Sequence, residues 1–366
     1  MKRFKSAGVI GGILIAMVLA VALYAQGLGQ GRGGGQGRGQ AQGGGEAQRG
    51  PYLPVNGQEP SLAVCYGLLA GARNPPPGTA PCRAITRVRG DLYSVQVNRY
   101  NTVFLVTPAG VILADPINVE TATWLKEEIA QRFHVPVKYV VYSEVMQDHS
   151  SGAGVFHDTA EIWAHADLPK DLLLETEALG ADRTKDIVPP DKTYTTRQTL
   201  TLGGKSVVLM HPGINHSNDA TVLLFPAERV AFIVDFISTR RPFASELYPP
   251  LCKYCTATFT DWINSFKAVE ALDFDLFVAG HGMVGTKADV TLYRRFFEEM
   301  VTGVTNGFKA GETLEQIQAS DLLESYSWLL GYNPSRNQKM AEAYAYLQAT
   351  QGNKTAQAGA PAASRH

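Results

Sequence analysis

Apolar and polar positions along the chain fall into three regimes. From Ala7 to Tyr24 nearly every residue is apolar, with Lys2, Arg3 and Lys5 in front. A basic segment followed by an apolar one is the pattern of an export signal, and the run also approaches the length that spans a bilayer, so a cleaved leader after Ala25 and a retained anchor are both open. From Gln26 to Pro60 the residues are mostly Gly, Gln and Arg. Such a stretch has too little apolar surface to build a core and reads as a flexible tether. From Leu92 onward, short apolar runs alternate with amphipathic ones, which predicts a layered α/β domain.

Within that domain Val103 to Thr107 and Val111 to Asp115 read as two strands joined through Pro108, Ala109 and Gly110, a hairpin signal. Thr121 to Phe133 places Leu125, Ile129 and Phe133 on one helical face with charges opposite. Val137 to Tyr142 is β-branched and aromatic, hence a buried strand, and further strands are expected at 161–164, 206–211, 221–226, 230–235 and 275–279. Beyond Gly285 the chain turns helical. Thr313 and Gln316 fit a capping box; Leu322, Leu323, Tyr326 and Leu330 form a helical stripe that Gly331 ends ahead of Pro334. A last helix runs through Lys339 to Gln348, and the residues after Gly352 are of low complexity.

Charge excludes little by itself. Lys and Arg number 33 against 34 Asp and Glu in 366 residues, of which 45% are hydrophobic, so no global field favours nucleic acid or anionic lipid and a partner must be read from a site. The four cysteines, Cys65, Cys82, Cys252 and Cys255, all follow the export-like segment. In an oxidising compartment they are expected in disulfides rather than a metal knot, with three pairings open and the local one, Cys65 with Cys82, the simplest.

The candidate chemistry sits at strand ends. His149, His216 and His281 each stand just after a strand or in the loop behind one; Asp148 precedes the first and Asp235 closes the run Val230 to Asp235. A single loop histidine is usually a solvated or locally bonded side chain. Several ligand-type residues at the ends of different strands, with Gly and Ser neighbours, are how α/β scaffolds assemble a site on one rim.

The ordered blocks GVILADP, VVYSEVMQDHSSGA, HPGINHSNDATVLLFP, RVAFIVDF and FVAGHG, from Leu92 to Phe297, resemble the metallo-β-lactamase superfamily. The resemblance implies an αββα sandwich, here with an extra C-terminal helical segment. It also implies a metal-binding HxHxDH motif, of which this chain keeps only the last two residues. Asp148, His149 and His281 match the family's second metal site, Asp235 the bridging carboxylate, and His216 the third ligand of the first site. Glu144 and Met146 stand where the two motif histidines belong. Asp115 matches a position that supports the metal loop. His211 and Asp219 are either orienting groups or local loop caps, and His134, His157 and His165 read as surface residues.

The donor chemistry sharpens this. A thioether is soft and neutral, so Met146 is expected as apolar packing; Glu144 offers a hard oxygen. Asp148, His149, Asp235 and His281 suffice for one divalent ion, Zn²⁺ first with Fe²⁺ or Mn²⁺ as alternatives, while a second, through His216 and Glu144, should be weak or absent. The expected layout is a leader or anchor over 1–25, a tether over 26–60, an extension carrying Cys65 and Cys82 over 61–91, the metallo-β-lactamase-like domain over 92–297, C-terminal helices over 298–350 and a disordered tail over 351–366. The expected function is that of an exported hydrolase, periplasmic or anchored in the inner membrane, using a metal-activated water on an ester, thioester, lactam or similar bond of a small molecule. Asp148 and His216 would be its catalytic residues. The alternative is a catalytically silent binding protein on the same fold.

Overall fold

The structure is a computed structural model that describes residues 80–239, 247, 254–329 and 331–358. All of them belong to one unit, Val55–His366. Two sheets carry the architecture. The first contains β1 (Arg83–Arg89), β2 (Leu92–Val97), β3 (Tyr100–Thr107), β4 (Gly110–Ala114), β5 (Val137–Val141), β6 (Glu161–His165) and β7 (Lys192–Tyr194), in that order. The second contains β8 (Arg197–Leu202), β9 (Lys205–Met210), β10 (Val222–Phe225), β11 (Val230–Ile233), β12 (Leu276–Ala279) and β13 (Gly285–Thr286), also as sequential neighbours.

Period-two alternation sorts the side chains into layers. In β4, Val111 and Leu113 face the first sheet's helices while Ile112 and Ala114 face the second sheet. In β9 to β11, Val207, Leu209, Leu223, Phe225, Val230 and Phe232 fill the layer between the sheets. Their alternates Val208, Met210, Val222, Leu224, Ala231 and Ile233 meet the helices on the far side. The result is the αββα sandwich expected from the sequence.

The covering helices follow their local signals. In α1 (Val119–Phe133) the Asn118 side chain caps the Thr121 N–H, and Ala122, Leu125 and Ile129 are buried. The other helices are α2 (Gln147–Ser150), α3 (Leu168–Leu179), α4 (Ala181–Thr184), α5 (Phe259–Glu270), α6 (Lys287–Ala310), α7 (Leu314–Gln318) and α8 (Tyr332–Ala358). Capping boxes at Thr258 with Asp261 and Thr286 with Asp289 start α5 and α6. Phe266, Phe296, Phe297 and Met300 then bury the inner faces of those two helices against the second sheet. Among the described residues no helix is long and apolar enough to cross a membrane. The hairpin glycine Gly110 is required twice over: its φ is 141°, and a Cβ there would stand 2.5 Å from Lys138 Cγ and 2.9 Å from the Pro136 oxygen.

Three expectations are corrected. The first sheet begins before Leu92, because β1 pairs antiparallel with β2; its Arg-rich alternation leaves it half-buried, without the apolar signal of a core strand. The helix α8 continues past residue 350 to Ala358. The stripe at Leu322, Leu323 and Tyr326 is not one helix: after the Thr313 capping box α7 stops at Gln318, Leu323 takes a left-handed φ of 70°, and only Glu324–Tyr326 forms a 3₁₀ turn. The carbonyls a helix would have used internally are instead taken by Arg336, whose guanidinium donates to the oxygens of Gln318, Ser320 and Leu322 at 2.7–2.8 Å. Arg336→Met should therefore lower stability by about 2–4 kcal/mol, read as a reduced denaturant midpoint, and leave metal uptake unchanged.

Candidate metal centre

Two parallel strand pairs decide where the site lies. β4 and β5 are parallel in the first sheet and β11 and β12 in the second, so their C-terminal ends share a rim within each sheet. Asp115 follows β4, the segment 142–150 follows β5, Asp235 follows β11 and His281 follows β12. The loop between β9 and β10 adds His216. Asp235 has a left-handed φ of 58°, a conformation carboxamide and carboxylate residues tolerate better than most.

Four of the predicted residues converge. His149 Nε2 lies 3.2 Å from His281 Nε2, 3.4 Å from Asp235 Oδ2 and 3.9 Å from Asp148 Oδ2. His281 Nε2 lies 3.2 Å from Asp235 Oδ1 and 3.5 Å from Asp148 Oδ2. Two imidazole nitrogens facing each other and a carboxylate on each side fit a shared cation: donors about 2.0–2.2 Å from one Zn²⁺ stand roughly 3.3–3.6 Å apart across a tetrahedron. Asp148, His149 and His281 form one group able to hold a metal ion, and Glu144, His149 and Asp235 a second. His149 is wholly buried, whereas His281 and Asp148 keep 28% and 29% of their side-chain surface, so solvent reaches the set from their side.

Behind His149 stands Asp115, fully buried. Its Oδ1 accepts the Ser143 N–H at 2.7 Å, its Oδ2 accepts the Ser143 hydroxyl at 2.5 Å, and Oδ2 lies 3.4 Å from His149 Nδ1. A carboxylate on the far nitrogen favours the tautomer that leaves Nε2 free for a cation. Asp115 thus supports the loop, as the resemblance implied.

Glu144 and His216 do something else. Buried together, they form an ion pair at 3.1 Å between Oε2 and Nδ1, and Glu144 Oε1 has no hydrogen-bond partner. Met146 packs with Cys255 and Tyr254 in a small apolar cluster. At these two positions the chain has one carboxylate paired with a histidine and one thioether in apolar contact.

Electrostatics follow from these distances. Burial opposes a charge on His149, but Asp235 and Asp148, with Asp115, outweigh it and hold the ring well above the ordinary imidazole value. Burial likewise opposes charge on His281 and His216; Asp235 and Asp148 lift the former, and Glu144 the latter, to about 9. Asp148 is held at about 2, since His149 and His281 offset the cost of its burial. Beside Glu144, burial, with Glu144 and Asp171 added, pushes Asp219 well up, and burial lifts Asp171, which the sequence left unassigned, to about 6.

The remaining histidines separate. His211 Nδ1 donates to the Ala220 oxygen at 2.8 Å, a local loop cap, and its ring stacks on His165 at 4.0 Å. His165 is buried rather than at the surface, with Nε2 donating to the Thr195 oxygen at 2.7 Å. His134 and His157 are exposed. Neither Cys82 nor Cys255 is a free thiol. Cys65 and Cys252, like the leader and tether over 1–60, lie outside the described residues.

Comparison with known proteins agrees with this architecture. A metallo-β-lactamase from Pontibacter korlensis superposes with a TM-score of 0.50 at 17% identity, over 59% of this chain and 99% of that one. A stereoselective inverting sec-alkylsulfatase from Pseudomonas sp. superposes with a TM-score of 0.59 at 16% identity, over 76% of this chain and 52% of that one. The chain has the metallo-β-lactamase fold. A curated relative, the 2,4-dinitroanisole O-demethylase subunit alpha of Nocardioides sp. (strain JS1661), is 25% identical over 227 residues, 60% of this chain. The chain spans 65% of that relative's length. No family model matches the chain. On the metallo-β-lactamase fold, Asp148, His149, Asp235 and His281 therefore occupy one rim at the ends of both sheets, and Glu144 with His216 sits beside them.

The Glu144–His216 pair makes the metal-free protein pH-dependent in a defined direction. His216 rises from 6.5 to about 9 on folding, so its contribution is full below 6.5 and is lost as pH climbs through about 9. In chelator-stripped protein, the stability advantage of wild type over Glu144→Gln should shrink by about 3 kcal/mol between pH 6 and pH 10. A pH-independent difference in denaturation free energy would contradict the pair.

Proposed function

We propose that the chain is a metal-dependent hydrolase with one tight divalent-metal site, formed by Asp148, His149, Asp235 and His281. The observation that carries this reading is the convergence of these four side chains, from both sheets, with donor atoms 3.2–3.9 Å apart. A divalent cation held there supplies Lewis acidity and lowers the pKa of water at neutral pH. Two imidazoles and oxygen donors suit Zn²⁺, Fe²⁺ or Mn²⁺.

The chain's own groups then divide the work. Asp148, the more exposed carboxylate, orients the attacking water at the open side of the set. Glu144 holds the proton on His216 Nδ1 and fixes that ring at the edge of the site. A His216 lifted to about 9 is protonated at neutral pH, which suits it to donate a proton to a leaving oxygen or nitrogen rather than to take one from water. Met146, with its neighbours Tyr254 and Cys255, presents an apolar wall in place of a ligand. The same Glu144–His216 pair supports the second reading, a silent binding protein, because it gives His216 an internal counter-charge and leaves a single imidazole there for a second cation.

Fold likeness does not choose the scissile bond. A suitable panel joins carboxylic ester, thioester and lactam with a secondary alkyl sulfate and a nitroaryl methyl ether, the last two taken from the names of the alkylsulfatase and of the O-demethylase subunit. Turnover of at least one class by metal-loaded protein, abolished by His149→Ala, is the expected result. Tight metal uptake without turnover of any class would favour the binding protein.

Donor counting sets the stoichiometry. Chelator-stripped protein titrated with Zn²⁺ should take up one equivalent tightly and a second only weakly. His149→Ala should remove the tight step, whereas Glu144→His combined with Met146→His should strengthen the weak one. Two equally tight equivalents in unmodified protein would refute the assignment.

The proposal extends to location. Lys2, Arg3, Lys5 and the apolar run to Tyr24 support export, with the domain facing the periplasm and its cysteines paired. Fractionation should place the chain outside the cytoplasm, free or membrane-held. Full-length protein in the cytoplasm with four reactive thiols would overturn this.

A further inference from the structure

His281 leaves β12 between two glycines, in the segment Ala279-Gly280-His281-Gly282. Both glycines are required. A Cβ on Gly280 would stand 2.8 Å from Val234 Cγ1 and 2.9 Å from His149 Cε1, and Gly282 has a φ of 105°. A histidine flanked in this way inherits the torsional freedom of glycine on both sides, so its own backbone does not determine where its ring stands.

The missing restraint comes from the other sheet. Asn101, the second residue of β3, is 3% exposed and makes three hydrogen bonds to this one segment. Its backbone N–H donates to the Gly280 oxygen at 2.8 Å. Its Nδ2 donates to the Ala279 oxygen at 2.9 Å and to the Gly282 oxygen at 2.8 Å. Tyr100 adds an isolated antiparallel bridge to His281, with its ring edge-on to the imidazole at 5.1 Å. The carbonyls of Ala279 and Gly282, which bracket the Gly280-His281 pair, are thus taken by a single nitrogen of a buried side chain.

We infer that Asn101 is a positioning residue that sets the orientation of His281 by clamping the Ala279 and Gly282 carbonyls that bracket it, so that Nε2 is held against His149 and the two carboxylates before any cation binds. This rests on the reading that the convergent set holds a divalent cation. The chemistry of the position is narrow. Two acceptors must be met by one group with two N–H bonds; Asp supplies no donor, Ser supplies one, and Gln is a methylene longer. Preorganisation is what distinguishes a tight site from four donors that must be gathered on binding, and loss of such an outer partner typically weakens metal affinity about 10–100-fold.

The test uses full-length protein stripped with chelator and titrated with Zn²⁺ and with Co²⁺, whose visible spectrum reports ligand geometry. Asn101→Asp keeps the size and turns both donors into acceptors; it should weaken binding of both ions about 10–100-fold and change the Co²⁺ spectrum, while Asn101→Ser should fall between it and wild type. In a His281→Ala background Asn101→Asp should have no further effect on affinity, because the ligand it positions is gone. Unchanged affinity and spectrum in Asn101→Asp, or the same loss with and without His281, would overturn the inference. So would a loss of thermal stability in both variants accompanied by an unaltered Co²⁺ spectrum in the folded fraction, since Asn101 would then only tie the sheets. Wild-type protein that takes up neither ion would remove the metal reading itself, and the inference with it.

Discussion

Carboxylates crowded at one rim impose the constraint that the rest of the site answers. Asp115, Glu144, Asp148 and Asp235 come from the segments behind three strands, β4, β5 and β11, and ligand atoms of Glu144 and Asp235 fall within 4.8 Å of each other. At an effective dielectric near 20, two unit charges at about 4 Å repel by about 4 kcal/mol. No Lys or Arg appears among the described ion pairs of Asp115, Glu144 and Asp148; their charged neighbours are histidines. These carboxylates favour the charged form of the imidazoles, and a divalent cation that takes their lone pairs would replace protons with its own charge. Metal and proton compete for one electrostatic role.

That competition explains the asymmetry between the two halves of the rim. His149 and His281 turn nitrogens toward each other and toward two carboxylates, a geometry in which one cation satisfies all four. Around His216 there is a single imidazole, and Glu144 already neutralises it at 3.1 Å. A cation entering there would find one imidazole and would have to displace the proton that Glu144 favours on it. Met146 closes the remaining position with Cys255 and Tyr254. Glu144 and Met146 thus act together: one supplies a counter-charge to His216, and the other packs as an apolar residue.

What the sequence reveals and what it conceals divide along the same line. Buried strands with period-two alternation, the α1 face and the capping boxes are local signals, and the order of ligand residues after strands carried the site. The helix α3 is concealed because its inward face is mixed. Leu168 is buried and Leu172 packs against the core, but Asp171 and Glu175 are buried beside them while Leu173 and Leu179 are 68% and 45% exposed. Its inward carboxyls face the Glu144 region, so a functional rim has overridden the packing rule that makes helices readable. Arg336 ends the expected C-terminal stripe by taking carbonyls from a distance in sequence. Asn101 is equally silent: nothing in the run YNTVFLVT distinguishes it from a polar residue at a strand start.

Asn101 also shows how the sandwich can place ligands from two sheets with small tolerance. The layer between the sheets is apolar, and apolar contact is non-directional; it presses the sheets together without choosing their offset. The offset is chosen at the rim. Asn101 spans from β3 to the His281 segment, the Thr221 N–H donates to the Ser143 oxygen at 2.7 Å, and the Tyr194 hydroxyl donates to Thr221 Oγ1 at 2.9 Å. Ser143 is the residue held by Asp115, and Asp115 stands behind His149. One chain of directional bonds thus runs from the first sheet's ligands to the second sheet's loops, and it meets the two sheets next to the residues that must converge. Because the donors lie on both sides of this seam, a bound cation would add one more crosslink between the sheets, at the place where the apolar layer has least power to hold them in register.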